Sequence, residues 1–319
     1  MTNYRDIEQR LINMGEIYAA GFFESPDSPM FVRYARGLRR YLEGRCMPIY
    51  SGEKLYPCNS FDAGLCFAHD YSYTVKIDWQ RLSDADEVVA EVIRQELSDY
   101  EINLPKGHAV GGKMYTHSFP NFKRILREGL DSYQKRVEAI KDPDIQNGLL
   151  DVLEGIRCFH GRALELLKGY PQAAQLYAAL KKVPFEPADT LYEALVGWNF
   201  IYYMDGCDDI GSLDADLIDY YKGEDVTDIL RQFFKNVDAN DGWSGALGPE
   251  YNPLTIQCLK AVKGIRRPSL ELRVTPEMPR IRKKDQNTDL SPCAHSLWMT
   301  VSTERKILTM VVQDIAGVS

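Results

Sequence analysis

The sequence predicts an α/β fold that is helix-rich and has few strands. Three observations carry this. Apolar residues Phe122, Ile125, Leu126, Leu130, Tyr133, Val137 and Ile140 recur at helical spacing. Start and stop signals bracket further helices. One segment between two prolines alternates with period two, the mark of a strand.

Taken in chain order, residues 4–20 place Ile7, Leu11, Ile12 and Ile17 near helical spacing, and Ser83 precedes a second run through Val88, Val89, Val92, Ile93 and Leu97. Between them, residues 44–66 hold Gly, Pro, Asn and three cysteines and read as loops and short strands. From Pro120 the stripe named above predicts one long amphipathic helix running to Ile140. Another runs from about Ile145 to Lys168 and stops at Gly169-Tyr170-Pro171, where glycine ends a helix and proline cannot continue it. Thr190 opens a third, with Glu193 as its capping-box partner. Asn252-Pro253 supplies an N-cap followed by proline at the first helical position, and Gly264 closes that helix. Pro268 to Pro276 reads as a strand with Leu270, Leu272 and Val274 on one face.

Composition narrows the function classes. The chain has 319 residues, 45% hydrophobic and 26% charged, which is ordinary globular usage. With 46 acidic against 38 basic side chains the net charge is −8, so the molecule repels phosphate backbones and anionic membranes. No apolar run reaches the length of a membrane span, and the charged Met1 to Arg10 is not followed by a signal-peptide pattern. A soluble, cytoplasmic protein with neither nucleic acid nor membrane as partner is expected. Seven cysteines without C-x-x-C spacing fit reduced thiols acting as small buried hydrophobes.

Several near-motifs fail on their own chemistry. Gly107 to Lys113 satisfies most of a phosphate-binding loop, but Met114 stands where a Ser or Thr must hold magnesium. Asp238-Ala-Asn240-Asp241-Gly242 opens like a calcium loop, yet its glycine is fifth rather than sixth and Pro249 occupies the twelfth position. The stretch Asp205 to Asp225 holds eight carboxylates and one lysine and reads as a solvated face. No two of the five histidines have the i, i+4 spacing of a zinc protease, so no metal site is expected.

Three separated blocks carry a resemblance. The first is Thr116-His117-Ser-Phe-Pro120-Asn121-Phe122 through Ile125-Leu126 to Gly129-Leu130. The second runs Pro187-Ala188 through Glu193-Ala194-Leu195 and Gly211-Ser212-Leu213-Asp214 to Tyr220-Tyr221. The third is Asn252-Pro-Leu-Thr255, Leu259-Lys-Ala261 and Arg267-Pro268-Ser-Leu270-Glu-Leu-Arg273. In this order they resemble the N-terminal half of the glycyl radical enzymes, the family of pyruvate formate-lyase, glycerol- and choline-type lyases and related dehydratases. The blocks span residues ~105–280. This chain departs from the family pattern at Thr116 for glycine, Ser212 for arginine, Ala215 for glutamine and Asp219 for proline.

The resemblance implies a partial glycyl-radical-enzyme-type barrel of the α/β class, and long amphipathic helices around buried strands suit its outer layer. It implies a small-molecule substrate, a radical-SAM activating enzyme, and a homodimer or a complementary C-terminal chain. In the family a thiyl radical abstracts hydrogen from substrate, and the cysteine and glycine loops that do this come from the C-terminal half. Neither loop motif occurs here: Gly206-Cys207-Asp-Asp is only superficially like the cysteine loop, and Ile315 to Ser319 only faintly like the glycine loop. No catalytic residue is therefore expected in this chain, no cofactor is expected to be bound, and the chain alone is expected to be inactive. A non-catalytic or regulatory paralogue acting as an interaction module is the other reading.

His117, Asp209 and Arg273 are the expected substrate-binding residues, facing one cavity about 10 Å across. Asp209 sits where several family members place a substrate-contacting serine. A histidine can hydrogen-bond a hydroxyl or carboxylate, and a guanidinium is shaped to clamp a carboxylate. His117 could equally cap the helix after it, and Arg273 could pair with one of the many acids; the residues alone leave both roles open. Residues 1–279 read as the pyruvate formate-lyase-like portion. The basic Arg280 to Lys284 opens a divergent tail, 280–319, expected to lie outside that fold and to contact it little.

Overall fold

The computed structural model describes residues 17–18, 20–45, 47–58, 87–88, 91, 119–205, 209–239, 242, 244–274 and 297–301. The helices expected at 4–20 and after Ser83, together with the Gly107 loop, His117 and Cys207, lie wholly or largely outside them. The chain divides into two compact units. One comprises residues 1–49, 61–115 and 130–171, and the other 50–60, 116–129 and 172–319.

In the first unit, α1 (Met30–Gly44) packs along α4 (Pro143–Leu167), with α3 (Leu130–Glu138) beside α4. Two glycines set the approach of α1 to α4. A Cβ on Gly148 would lie 2.6 Å from the Phe31 ring, and one on Gly155 would lie 2.9 Å from the Arg39 Cα. Both helix ends are closed by side chains. Asp142 accepts from the Asp144 and Ile145 amides at the start of α4, and Arg162 donates to the carbonyls of Leu42, Glu43 and Arg45 at the end of α1. These are the orphan groups that a helix otherwise leaves to water. Arg39 ties the pair across its surface, bonding Glu43 at 2.8 Å and Asp151 at 2.9 Å.

The second unit holds the expected α/β arrangement. It comprises α2 (Phe122–Glu128), α5 (Ala174–Lys182), α6 (Leu191–Asp205), β1 (Asp209–Ser212), α7 (Leu213–Leu217), α8 (Thr227–Ala239), β2 (Ser244–Leu247), α9 (Pro253–Val262), β3 (Ser269–Val274) and β4 (Leu297–Val301). The helix opened by Thr190 is its centre: Ala194, Leu195, Val196, Trp198, Phe200, Tyr202 and Tyr203 are all buried. An apolar surface on every side makes it a core helix rather than a surface one. Among the described residues the strands form a four-stranded sheet in the order β1-β2-β3-β4, parallel through β3 and antiparallel at β4.

Two expectations meet corrections. The stripe from Phe122 to Ile140 is not one helix, because Gly129 adopts φ +70° and ψ 158° and ends α2 before α3 begins. That conformation is open to glycine alone. A Cβ there would also lie 2.1 Å from the Phe185 carbonyl oxygen. The acidic stretch is not a uniformly solvated face, since Asp214 within it is fully buried. The boundary expected at residue 279 lies outside the described residues; of the expected tail, Leu297–Val301 is described, pairing with β3 from Leu270↔Val301 to Val274↔Leu297.

Candidate functional site on the parallel sheet

The sheet has two unlike faces because side chains alternate along each strand. Ile210, Gly245, Leu247, Leu270 and Leu272 are buried on one face, where a Cβ on Gly245 would lie 2.5 Å from Ile210. Ser244, Ala246, Ser269 and Glu271 occupy the other and are half-buried. Asp209, also half-buried, starts β1 in register with Ser244, which pairs with Ser269, so three hydrogen-bonding side chains begin the three parallel strands in one row. This polar row is the candidate site.

Asp209 is held locally. Its Oδ1 accepts from the Gly211 amide at 2.7 Å, and the register slips between Asp209 and Ser212. Gly211 makes that slip possible with φ +72°, and a Cβ on it would lie 3.1 Å from the Phe119 ring. Phe119 is 45% exposed and lies two residues after His117, which is outside the described residues.

Arg273 stands four positions beyond Ser269, at the same parity as Glu271. At about 3.3 Å per residue and about 4.8 Å per strand, its backbone is roughly 16 Å from that of Asp209. The strand register thus puts Asp209 in the starting row and Arg273 near the far end of β3, outside that row.

The three blocks read from the sequence converge in this unit. Phe122 stacks on Trp198 at 4.4 Å, Leu126 O accepts from the Ala188 amide, and Lys123 Nζ reaches Ala215 O at 3.5 Å. Those contacts join the first block to the second. Asp214 joins the second to the third: its carboxylate accepts from the Ala215 amide at 2.8 Å, the Gly248 amide at 3.0 and 3.1 Å, and the Thr255 hydroxyl at 2.5 Å. Its backbone oxygen accepts from Asn252 Nδ2. Asn252 is the expected N-cap of α9, and with Thr255 it forms a reciprocal capping box there.

Burial pushes the Asp214 carboxyl above its ordinary range, opposed by bonds from Thr255, Gly248 and Ala215. Burial also raises Asp216, opposed by the Lys123 charge. Asp214, fully buried with donors on both oxygens, organises the backbone and does not meet solvent. The sequence reading counted it among the solvated acids; its place in Gly211-Ser212-Leu213-Asp214, facing Asn252 to Thr255 in the next block, is the signal that distinguishes it.

Of the described cysteines, Cys58 and Cys258 are the expected buried side chains, whereas Cys158 is half-buried beside Glu154. Cys58, Cys158 and Cys258 are free, and burial raises Cys58 and Cys258 far above thiolate range. Among the described residues no cluster of His, Cys, Asp and Glu is arranged to hold a metal ion, and no helix is long and apolar enough to cross a membrane.

No protein-family model matches the sequence, and no curated protein matches it. Solved structures do. A structure from work on 1,2-propanediol dehydration in Roseburia inulinivorans superposes with TM-score 0.58 at 14% identity, over 86% of this chain and 47% of that one. The glycerol-bound B12-independent glycerol dehydratase of Clostridium butyricum gives TM-score 0.56 at 14% identity, over 86% and 47%. A glycyl radical enzyme from Archaeoglobus fulgidus gives 0.60 at 14% identity, over 85% and 48%. The chain therefore spans about half the length of the structures it matches, and over that half its fold is the glycyl radical enzyme fold.

Proposed function

We propose that this chain is the N-terminal portion of a glycyl radical enzyme of lyase, dehydratase or formate-acetyltransferase type, supplying half of the barrel and the substrate-binding side of its site. The half-length likeness to three glycyl radical structures carries the reading. The polar row beginning with Asp209, Ser244 and Ser269 supports a hydroxylated small molecule as substrate, because serine hydroxyls and a carboxylate together offer donors and acceptors to alcohol groups. Two of the matched structures concern the dehydration of 1,2-propanediol and a glycerol dehydratase, which agrees with that class. His117 and Arg273 complete the proposed substrate contacts.

In this reading hydrogen abstraction needs the cysteine and glycine loops, whose motifs this sequence lacks. Turnover then requires them from elsewhere, in a longer polypeptide or a complementary chain, after activation by a radical-SAM enzyme in the cytoplasm. The test is to read the coding DNA beyond Ser319 in all frames and to co-express whatever it encodes with this chain. Both loops, and aldehyde formed anaerobically from glycerol or 1,2-propanediol after activation, are the expected result. An intact stop with neither loop downstream would favour a non-catalytic paralogue.

A further inference from the structure

The geometry points to Asp214 as a positioning residue that sets the backbone of β1 and β2 and thereby the polar row between them. The inference deepens the proposed function, resting on its reading of that row as the substrate side. β1 ends at Ser212 and β2 at Leu247, so Asp214 follows the carboxyl end of one strand and its partner Gly248 the carboxyl end of the next. The polar row begins the same strands, about 10 Å away along these four-residue elements, so Asp214 acts on it through the backbone of β1 and β2.

Asp214 closes both ends with one side chain. Gly248 N–H is shared between its two oxygens at 3.1 and 3.0 Å, Ala215 N–H fixes the start of α7 at 2.8 Å, and the Thr255 hydroxyl donates at 2.5 Å. Thr255 Oγ1 in turn accepts from Asn252 N at 2.9 Å, and Asn252 returns a bond to Asp214 O at 3.1 Å. The first turn of α7, the loop after β2 and the first turn of α9 therefore share one acceptor. A carboxylate is suited to this because it accepts at both oxygens, whereas a hydroxyl or amide would turn a donor toward at least one of these donors. Buried and fully engaged, it holds the strand ends and leaves any contact with substrate to other groups.

Hydrogen exchange on the purified chain tests this without a ligand, so its outcome is independent of whether the proposed chemistry is correct. Asp214→Leu keeps the branching at Cγ, adds bulk and removes every acceptor. Asp214→Asn keeps one carbonyl oxygen for the two amides. Thr255→Val removes one donor and is the mild variant should Asp214→Leu fail to fold. A positioning role predicts that protection in Ser244 to Leu247 and Asp209 to Ser212 falls about tenfold more than in α6, since local opening is released selectively. Asp214→Asn should recover most of that loss, and Thr255→Val should reproduce part of it. Uniform loss across the unit, as a role in bulk stability alone would give, or unchanged strand protection in all three variants, would overturn the assignment.

Discussion

Gly129→Ala distinguishes two structures by the sign of its effect. Were residues 122 to 140 one continuous helix, as the apolar stripe alone predicts, the substitution would stabilise the protein by about 0.5 to 1 kcal/mol, the ordinary advantage of alanine over glycine inside a helix. The structure predicts the opposite. Gly129 has φ +70° and ψ 158°, and holding a non-glycine residue there costs on the order of 1 to 3 kcal/mol. A Cβ would stand 2.1 Å from Phe185 O and 2.9 Å from Glu186 C. Both are backbone atoms, so no side chain can swing aside, and relief through a backbone shift costs roughly another 1 to 3 kcal/mol. Loss of chain freedom in the unfolded state returns about 0.4 to 1 kcal/mol. A net destabilisation of about 2 to 5 kcal/mol is expected, a large share of the ~5 to 15 kcal/mol typical of a folded protein. Urea titration followed by circular dichroism measures it. A change below about 0.5 kcal/mol, or a gain, would refute the break at Gly129.

The remaining expectations concern charge and buried polar contacts. Glu43 is buried in part, which alone would raise its carboxyl, but hydrogen bonds from Arg39 and Arg40 outweigh this and hold it below the ordinary value. Its contribution is thus present above the unfolded value of 4.5 and lost as pH falls through the lower folded value; Glu43→Gln should flatten the acid limb of a melting-temperature profile. Asp214 runs the other way: with its folded pKa raised, its ionisation cost is absent below 3.8 and appears as pH rises through the folded value. Asp214→Asn should therefore remove a decline in melting temperature on the rising side. Asn199 donates to Pro57 O at 2.8 Å and accepts from Asn236 at 2.9 Å while almost fully buried. Asn199→Leu should cost about 2 to 4 kcal/mol in the same urea titration, since both partners lose a bond inside the core.

How much of this was legible in the sequence depended on how local each cause is. The helix ending before Gly169 and the Asn252 N-cap are set by neighbours a few residues away, and the structure places both where the sequence does. β3 was legible because Leu270 and Leu272 alternate beside Pro268. β1 and β2 were not, because Asp209-Ile-Gly-Ser212 and Ser244-Gly-Ala-Leu247 are short and glycine-bearing. What makes them strands is pairing, β1 with β2 and β2 with β3. The break at Gly129 is caused by Phe185, 56 positions away by number, and no periodicity records that. Asp214 shows the same limit in the site. Its charge neighbours in sequence suggest solvent, while the donors that permit its burial lie 34 to 41 residues further on.

The central claim, that this chain supplies half of a glycyl radical fold and lacks the radical chemistry by itself, is tested most directly by electron paramagnetic resonance. The purified chain is incubated anaerobically with a radical-SAM activating enzyme, alone and together with a polypeptide carrying the cysteine and glycine loops. The account predicts no glycyl doublet from the chain alone and a doublet from the combined sample. A stable doublet from the 319 residues by themselves would contradict it.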